Sequence, residues 1–208
     1  MTDIRVGGLA RLSTCDWPGQ LVATVFCQGC PWDCAYCHNP HLIPAQAPRE
    51  ISWRGILAFL AKRRGLLDGV VFSGGEPTAQ GHLRDAIEEV RALGFRVGLH
   101  TAGSCPDRLA DILPLVDWVG FDAKAPFDIY ERITSVPGSG ARARISLDHL
   151  VASKVEADVR TTVHPGLLTP PDIARLTEEL TAAGVARHRI QPFRPNGCRA
   201  DRLPGSSP

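Results

Sequence analysis

Short apolar runs alternate with stretches of helical length along this chain. The runs are rich in Val, Ile and Phe and have the length of buried strands. The pattern predicts strands at 21–26, 69–72, 95–99, 118–121, 157–163 and 189–193. Helical periodicity predicts helices between them at 52–64, 79–93, 107–113, 146–153 and 171–183.

Residues that begin and end helices agree with this pattern. Ser52 can cap the first predicted helix, and Gly65, Gly94 and Gly184 follow three predicted helix ends. Alternating strands and helices predict an α/β protein with a parallel sheet, either open or curled into part of a barrel. Six units are too few for the eight-stranded barrel, and the loops at the carboxyl ends of the strands should carry the chemistry.

Length and charge narrow the range of functions. The 208 residues suit one domain, expected over 1–195, and the Gly-, Pro- and Ser-rich segment 196–208 is expected to be a flexible tail. Lys and Arg number 23 against 22 for Asp and Glu, so no strong field draws the protein to nucleic acid or a membrane. Residues 1–10 lack a signal-peptide pattern, and a cytoplasmic protein is expected.

The seven cysteines are unevenly distributed. Four of them lie within eleven positions: Cys27, Cys30, Cys34 and Cys37. An odd total and such crowding are typical of a metal site in a reducing compartment rather than of a disulfide framework. No role is assigned to the three isolated ones, Cys15, Cys105 and Cys198.

The last three of these clustered cysteines have the spacing C-x3-C-x2-C. Three thiolates on a short loop can hold a [4Fe-4S] cluster and leave one iron open to an external ligand. The alternative is a zinc knot built from two C-x2-C pairs, Cys27 with Cys30 and Cys34 with Cys37. Structural zinc sites usually separate their two pairs by a longer loop than the three residues found here.

With an aromatic residue at Tyr36, this loop resembles the cluster motif of the radical S-adenosylmethionine (SAM) superfamily. Segments 13–19 and 25–40 also resemble activating enzymes of glycyl-radical proteins, and look closest to those of anaerobic ribonucleoside-triphosphate reductases. The resemblance implies a partial (βα)6 TIM-like barrel of the radical SAM type. It also implies SAM as cofactor and a [4Fe-4S] cluster on Cys30, Cys34 and Cys37. Cys27 occupies a position that is commonly apolar in the family, so it is left outside the cluster.

The segment after the second predicted strand, Ser-Gly-Gly-Glu-Pro, resembles the GGE segment of the same family. The resemblance implies that Gly74, Gly75 and Glu76 contact the methionine amino group of SAM, and a carboxylate suits an ammonium group. Beside the cysteines, the Tyr36 ring could shield the site. His38 is expected near the metal but not on it, because adjacent side chains rarely share one metal.

Polar residues at the later strand ends complete the candidate site. By the same resemblance, Thr101 lies near the ribose, Asp122 and Lys124 form a D-x-K segment, Arg160 faces the SAM pocket and Arg194 lies near the adenine. Lys124 could pair with the methionine carboxylate. Pyruvate formate-lyase activating enzymes tend to have histidine where Arg194 stands. The alternative for the segments around Thr101 and Lys124 is ordinary helix capping and a surface ion pair.

The resemblance implies a reaction in which an electron from a flavodoxin- or ferredoxin-like donor cleaves SAM to methionine and a 5′-deoxyadenosyl radical. The radical would take hydrogen from a glycine of a partner glycyl-radical enzyme, expected to be an anaerobic ribonucleotide reductase. One alternative is a small radical SAM enzyme acting directly on a metabolite, such as a carboxy-deazaguanine synthase. A second is a zinc-stabilised binding module without redox chemistry.

Overall fold

A single sheet of seven strands organises the protein. A computed structural model describes residues 4–46, 51–199 and 202–203. The strands are β1 Val6–Ser13, β2 Val22–Cys27, β3 Gly69–Gly74, β4 Arg96–Thr101, β5 Trp118–Asp122, β6 Glu156–Val163 and β7 His188–Pro192. They lie in the order of the chain, and β1 and β7 are the two edges of the sheet in the described residues.

Strands β2 to β7 all run parallel. Helices connect them: α1 Trp53–Ala61, α2 Leu83–Ala92, α3 Pro106–Ile112, α4 Glu131–Thr134, α5 Ser139–Ser153 and α6 Pro170–Ala182. The six predicted parallel strands and the α/β class, a partial barrel, are thereby confirmed. The Ser52 cap is also confirmed, because its side chain accepts a hydrogen bond from the Gly55 N–H.

Three elements differ from the prediction, and one of them is the four-residue helix α4, which was not predicted. Strand β1 pairs antiparallel with β2 and was not predicted, because its sequence, VGGLARLS, mixes glycine, arginine and apolar residues without a regular period. Helix α5 begins at Ser139 and not at residue 146. Its first buried positions are the small residues Ser139, Gly140 and Ala143, which hydrophobic periodicity does not register.

The main apolar core lies between the helices and one face of the sheet. Val25, Phe72 and Leu99 point from neighbouring strands into this core, where Ile56 of α1 and Ile87 of α2 meet them. All five side chains are essentially inaccessible to solvent. Burying such side chains is the main favourable term in folding, so this layer fixes the helices on the sheet.

A separate aromatic cluster fills the opposite face, inside the curve of the sheet. Trp17, from the loop between β1 and β2, stacks on Trp118 with ring centres 5.6 Å apart and an interplanar angle of 18°. Val22 and Val71 complete this small buried cluster. We call these four residues the aromatic floor, because they close the barrel interior at the amino-terminal ends of the strands.

The predicted flexible tail, 196–208, is only partly covered, since residues 200, 201 and 204–208 lie outside the described part of the chain. Within that part, Arg199 and Arg202 both form ion pairs with Asp33, the Arg202 pair at 2.6 Å. A single domain over 1–195 with a loose tail stays a prediction. No helix in the described ranges is long and apolar enough to cross a bilayer.

The floor predicts a stability difference between two Gly→Ala variants. A Cβ atom at Gly98 would lie 2.9 Å from the Trp17 ring and 3.0 Å from Val71. We therefore expect Gly98→Ala to lower the free energy of unfolding by about 1–3 kcal/mol through overpacking. Gly81→Ala is the control, because a Cβ there meets nothing within 4 Å. Urea unfolding measures both, and equal stabilities would contradict the packing of the floor.

Candidate functional site

The carboxyl ends of the parallel strands surround a cavity of about 220 Å³. Twelve of the thirteen residues singled out from the sequence line it: Cys30, Cys34, Tyr36, Cys37, His38, Gly74, Gly75, Glu76, Thr101, Asp122, Lys124 and Arg160. They come from loops that are up to 130 positions apart in the chain, taking Cys30 to Arg160. The fold therefore brings the three cysteines and the polar strand-end residues into one site.

The cysteine loop is held in place by main-chain hydrogen bonds on two sides. The Cys30 N–H donates to the Ile43 carbonyl at 3.0 Å, and the Ala35 N–H donates to the Ile133 carbonyl at 2.9 Å. On the side of Ile43, the buried Gln28 amide also donates to two carbonyls of the segment that follows the loop. The loop is thus anchored by contacts that do not involve a metal.

The three predicted cluster ligands share the cavity, whereas Cys27 does not line it. Cys27 is fully buried in the core beneath the helices. Burial, and then the charge of Glu76, raise the pKa of the Cys30 thiol to about 12. Burial also raises the pKa of Cys34, although Lys124 opposes the shift. In the described residues, no three Cys, His, Asp or Glu side chains are gathered closely enough to hold one metal ion.

The environment of these thiols fits an iron-sulfur cluster. The Trp32 main chain lowers the pKa of the Cys30 thiol, against the effect of burial. The buried Trp32 indole Nε1 has no hydrogen-bond partner among the described residues. An unpaired buried donor costs about 1–3 kcal/mol, and the sulfur atoms of a cluster are acceptors that hydrogen bonds tune. Cys30, Cys34 and Cys37 could therefore hold the cluster.

The two glycines after β3 bring the main chain against the cysteine loop. Gly74 has a φ of 107°, which L side chains rarely adopt, and a Cβ there would collide with the main chain of Cys27. The Gly75 N–H donates to the Cys27 carbonyl, and the Glu76 N–H donates to the Gly29 carbonyl, both at 2.9 Å. The glycines are needed for this close approach.

Glu76 is a buried carboxylate, only 1% exposed, that accepts four hydrogen bonds. Its Oε1 accepts from the Thr78 N–H at 3.1 Å, the Thr78 hydroxyl at 2.6 Å and the Thr101 hydroxyl at 2.7 Å. Among the described residues, its Oε2 accepts only from the Ala102 N–H, at 3.0 Å. Within the described residues it forms no ion pair. Its negative charge and the open side of Oε2 suit an ammonium group of a ligand.

Positive charge lies across the cavity. The Arg160 Nε donates to Asp122 Oδ1 at 2.6 Å. Burial alone would raise the pKa of Asp122, but the positive charges of Arg160 and Lys124 lower it below the ordinary value. Burial alone would lower the pKa of Lys124. The nearby Cys34, Tyr36 and Asp122 outweigh burial and raise this pKa well above the ordinary value. The Lys124 Nζ lies 5.7 Å from the centre of the Tyr36 ring. An anionic ligand group would meet an ammonium here.

Arg194 is the one predicted residue that does not line this cavity. It lies at a second cavity of about 410 Å³ toward the β7 edge. The two cavities share His38, Asp122, Arg160 and Thr162. His38 also bonds to the Arg194 carbonyl through Nε2, at 2.7 Å. Small-molecule sites usually occupy roughly 300–1,000 Å³, so a nucleoside-sized ligand would extend from the first cavity into the second.

Six further residues line the main cavity and were not among the predicted site residues: Trp32, Asn39, Ser73, His100, Ala102 and Thr162. The sequence contains part of the evidence that places His100 in the site. This residue lies two positions after Gly98 in β4, and alternate residues of a strand face the same side, so it points into the barrel. Nothing in the sequence distinguished the indole N–H of Trp32, because its lack of a partner depends on the folded loop.

The chain matches the family model for the radical SAM superfamily over residues 24–170 and belongs to that superfamily. It is therefore a radical SAM enzyme, whose cofactors are a [4Fe-4S] cluster and SAM.

Individual relatives give a more detailed picture. The chain is 29% identical to a Methanocaldococcus jannaschii protein named as a glycyl-radical enzyme activating enzyme, over 91% of this chain and 80% of that protein. It is 32% identical to a pyruvate formate-lyase-activating enzyme of Clostridium pasteurianum, over 66% of this chain and 59% of that protein. A 7-carboxy-7-deazaguanine synthase of Methanopyrus kandleri is 33% identical, over 52% of this chain and 51% of that protein.

Solved structures share the fold. The structure of anSMEcpe with bound AdoMet superposes with a TM-score of 0.65 at 15% identity, over 80% of this chain and 49% of that one. At this identity the likeness concerns the fold alone.

The hydrogen bonds of Glu76 predict that only a carboxylate fits its position. Both of its oxygens accept from a main-chain N–H, so the amide of Glu76→Gln must turn its NH2 group toward one of these donors. We expect Glu76→Gln to lower the free energy of unfolding by about 1–3 kcal/mol. The matched control is Glu178→Gln on the exposed side of α6, expected to change it by less than about 0.5 kcal/mol. Equal stabilities in urea unfolding would show that the carboxylate is not required.

Proposed function

We propose that this protein activates a glycyl-radical enzyme, of the anaerobic ribonucleoside-triphosphate reductase type, by radical SAM chemistry. The proposal rests on one observation above all: the three thiols and the opposed charges of Glu76 and Lys124 converge at a single cavity. The first two relatives described above, both named as activating enzymes, support the same class of reaction.

The charges in the cavity match the methionine part of SAM, which carries an ammonium and a carboxylate. Glu76 would bind the ammonium through the open side of Oε2. Lys124, across the cavity, would bind the carboxylate. Thr101 would be held near the ribose by its hydrogen bond to Glu76. Each of these roles is binding and orientation, and none requires a proton to move.

Cys30, Cys34 and Cys37 would hold the cluster. With an electron from a flavodoxin- or ferredoxin-like donor, the bound cluster and SAM would supply the radical chemistry that turns a glycine Cα–H of the partner into a glycyl radical, with methionine and 5′-deoxyadenosine as the products of SAM. The residues of the chain contribute a site that is closed to water at its base. The aromatic floor provides that closure, and the buried Tyr36 and Trp32 rings shield the cavity on the side of the cysteine loop.

The open side of the barrel favours a macromolecular substrate. Strands β1 and β7 are not paired with each other in the described part of the chain, and the second cavity opens beside β7. Arg194 and Pro192 at this opening are exposed. A glycine loop of a partner enzyme could therefore approach the cofactor cavity from the β7 edge without displacing a core element.

Iron content separates the proposed ligands from the remaining clustered cysteine. We expect Cys30→Ala, Cys34→Ala and Cys37→Ala each to lose most of the roughly four irons bound per chain after anaerobic reconstitution. Cys27→Ala is the matched control and should keep them, because Cys27 lies in the core and does not line the cavity. Iron and sulfide analysis measures the result, and melting temperatures show which variants remain folded.

Two results would contradict this assignment. Loss of iron in Cys27→Ala with an unchanged melting temperature would make Cys27 a ligand. One zinc and no iron or sulfide in anaerobically prepared protein would favour the zinc-stabilised module.

Formation of a glycyl radical is the direct test of activation. Reduced protein, SAM and a candidate anaerobic ribonucleotide reductase, mixed without oxygen, should give a glycyl electron-paramagnetic signal. The Cys34→Ala variant should give none, because it lacks a proposed cluster ligand. Substituting a pyruvate formate-lyase for the reductase tests the identity of the partner.

The second candidate is a carboxy-deazaguanine synthase, and the Methanopyrus kandleri relative favours it. Production of 7-carboxy-7-deazaguanine, with no glycyl signal from any candidate partner, would establish that function instead. The iron and sulfide content would be the same in both cases, so only the product distinguishes the two enzymes.

A further inference from the structure

His100 is a largely buried residue that lines the base of the cofactor cavity, and both of its ring nitrogens have partners. Its Nε2 lies 2.7 Å from the Asp16 carbonyl. Its Nδ1 lies 3.3 Å from Arg160 Nη2 and 3.4 Å from the Ser73 hydroxyl. Its ring edge packs against Trp118, with centres 5.4 Å apart. No sequence motif assigns a role to this side chain.

The partners determine the protonation state of the ring. A carbonyl can only accept, so Nε2 carries the proton. A guanidinium can only donate, so Nδ1 must be an unprotonated acceptor. Burial, followed by the charge of Arg160, lowers the pKa of His100, in agreement with a neutral ring. The imidazole therefore connects a fixed carbonyl below to the guanidinium above.

The carbonyl at the lower end is held firmly. Asp16 belongs to the loop between β1 and β2, and its side chain accepts from the Thr24 hydroxyl at 2.7 Å. The next residue, Trp17, is locked in the aromatic floor against Trp118. Gly120 provides the space for the imidazole, because a Cβ there would lie 2.9 Å from the His100 ring. The ring thus has little freedom to rotate.

We infer that His100 is a positioning residue, which fixes the Arg160–Asp122 pair at the mouth of the SAM cavity by accepting a hydrogen bond from Arg160. Arg160 donates to Asp122 through Nε and to His100 through Nη2, so two of the three guanidinium nitrogens have fixed partners. This gives the loop at 13–19 a role: it supports the cofactor site from the floor of the barrel. The inference rests on the proposed assignment of the cavity to SAM, and not on the partner.

Substitutions at His100 separate its two hydrogen bonds. Asn places an amide oxygen near the position of Nδ1 and can accept from Arg160, whereas Gln places an amide nitrogen near Nε2 and Phe keeps only the ring. We expect His100→Gln and His100→Phe to weaken SAM binding to the oxidised holoenzyme about tenfold, and His100→Asn by less than about threefold. Equilibrium dialysis with labelled SAM measures this without turnover. His82→Gln, on the exposed start of α2, is the control.

A double-variant cycle distinguishes positioning from a merely structural role. If His100 acts through Arg160, the His100→Gln/Arg160→Gln protein should bind SAM no more weakly than Arg160→Gln alone. Additive losses, or an Arg160→Gln protein that binds SAM like the parent, would overturn the inference. Equal losses in His100→Asn and His100→Phe would also do so. SAM binding does not depend on glycyl-radical formation, so failure would leave the proposed activation standing.

A second measurement covers the case in which the variants fold poorly. Long-range ¹H–¹⁵N NMR of the oxidised holoenzyme, labelled at histidine, reports the protonated nitrogen directly. A neutral His100 with the proton on Nε2 is expected. A proton on Nδ1, or on both nitrogens, would exclude the acceptor role toward Arg160 and overturn the inference.

Discussion

The buried carboxylate of Glu76 is the contact around which the strand ends assemble. A charge removed from water must be compensated by donors, and this one receives them from both sides: from Thr78 in its own loop and from Thr101 and Ala102 at the end of β4. Its main-chain N–H meanwhile donates to Gly29 in the cysteine loop. The ends of β3 and β4 and the cysteine loop are therefore held as one unit, in which the thiols have a defined distance from the carboxylate.

The interior of this partial barrel is filled by side chains from outside the parallel strands. Fewer strands than a closed barrel leave the inside unfilled, and the filling comes from the loop between β1 and β2, whose Trp17 lies against Trp118. Above this apolar layer lies a polar one, in which His100 contacts both the floor and Arg160. Excluding water from below strengthens every charge interaction above, because the local dielectric is low.

Sequence reasoning recovered the features that follow from periodicity and topology. Parallel strands end on one edge, so chain position places Glu76, Thr101, Asp122 and Arg160 at that edge, and the family resemblance implied that they share a site. It missed strand β1, whose pairing depends on the neighbouring β2 and not on its own pattern. Contacts that depend on the three-dimensional fold could not be predicted from the sequence either. The bond from His100 to the Asp16 carbonyl joins residues 84 positions apart, and no local signal marks it.

The contrast between the two ends of the cavity bears on the kind of substrate that the enzyme takes. The end near the cysteine loop is enclosed by buried groups, Glu76 and Tyr36 among them, whereas the end near β7 is bordered by the exposed Arg194. A metabolite is usually held by a pocket that buries most of its surface, which requires walls from the enzyme itself. A glycine loop arrives with the surface of its own protein, so docking can exclude water where this chain leaves the site open. The asymmetry therefore favours a protein substrate over a small molecule.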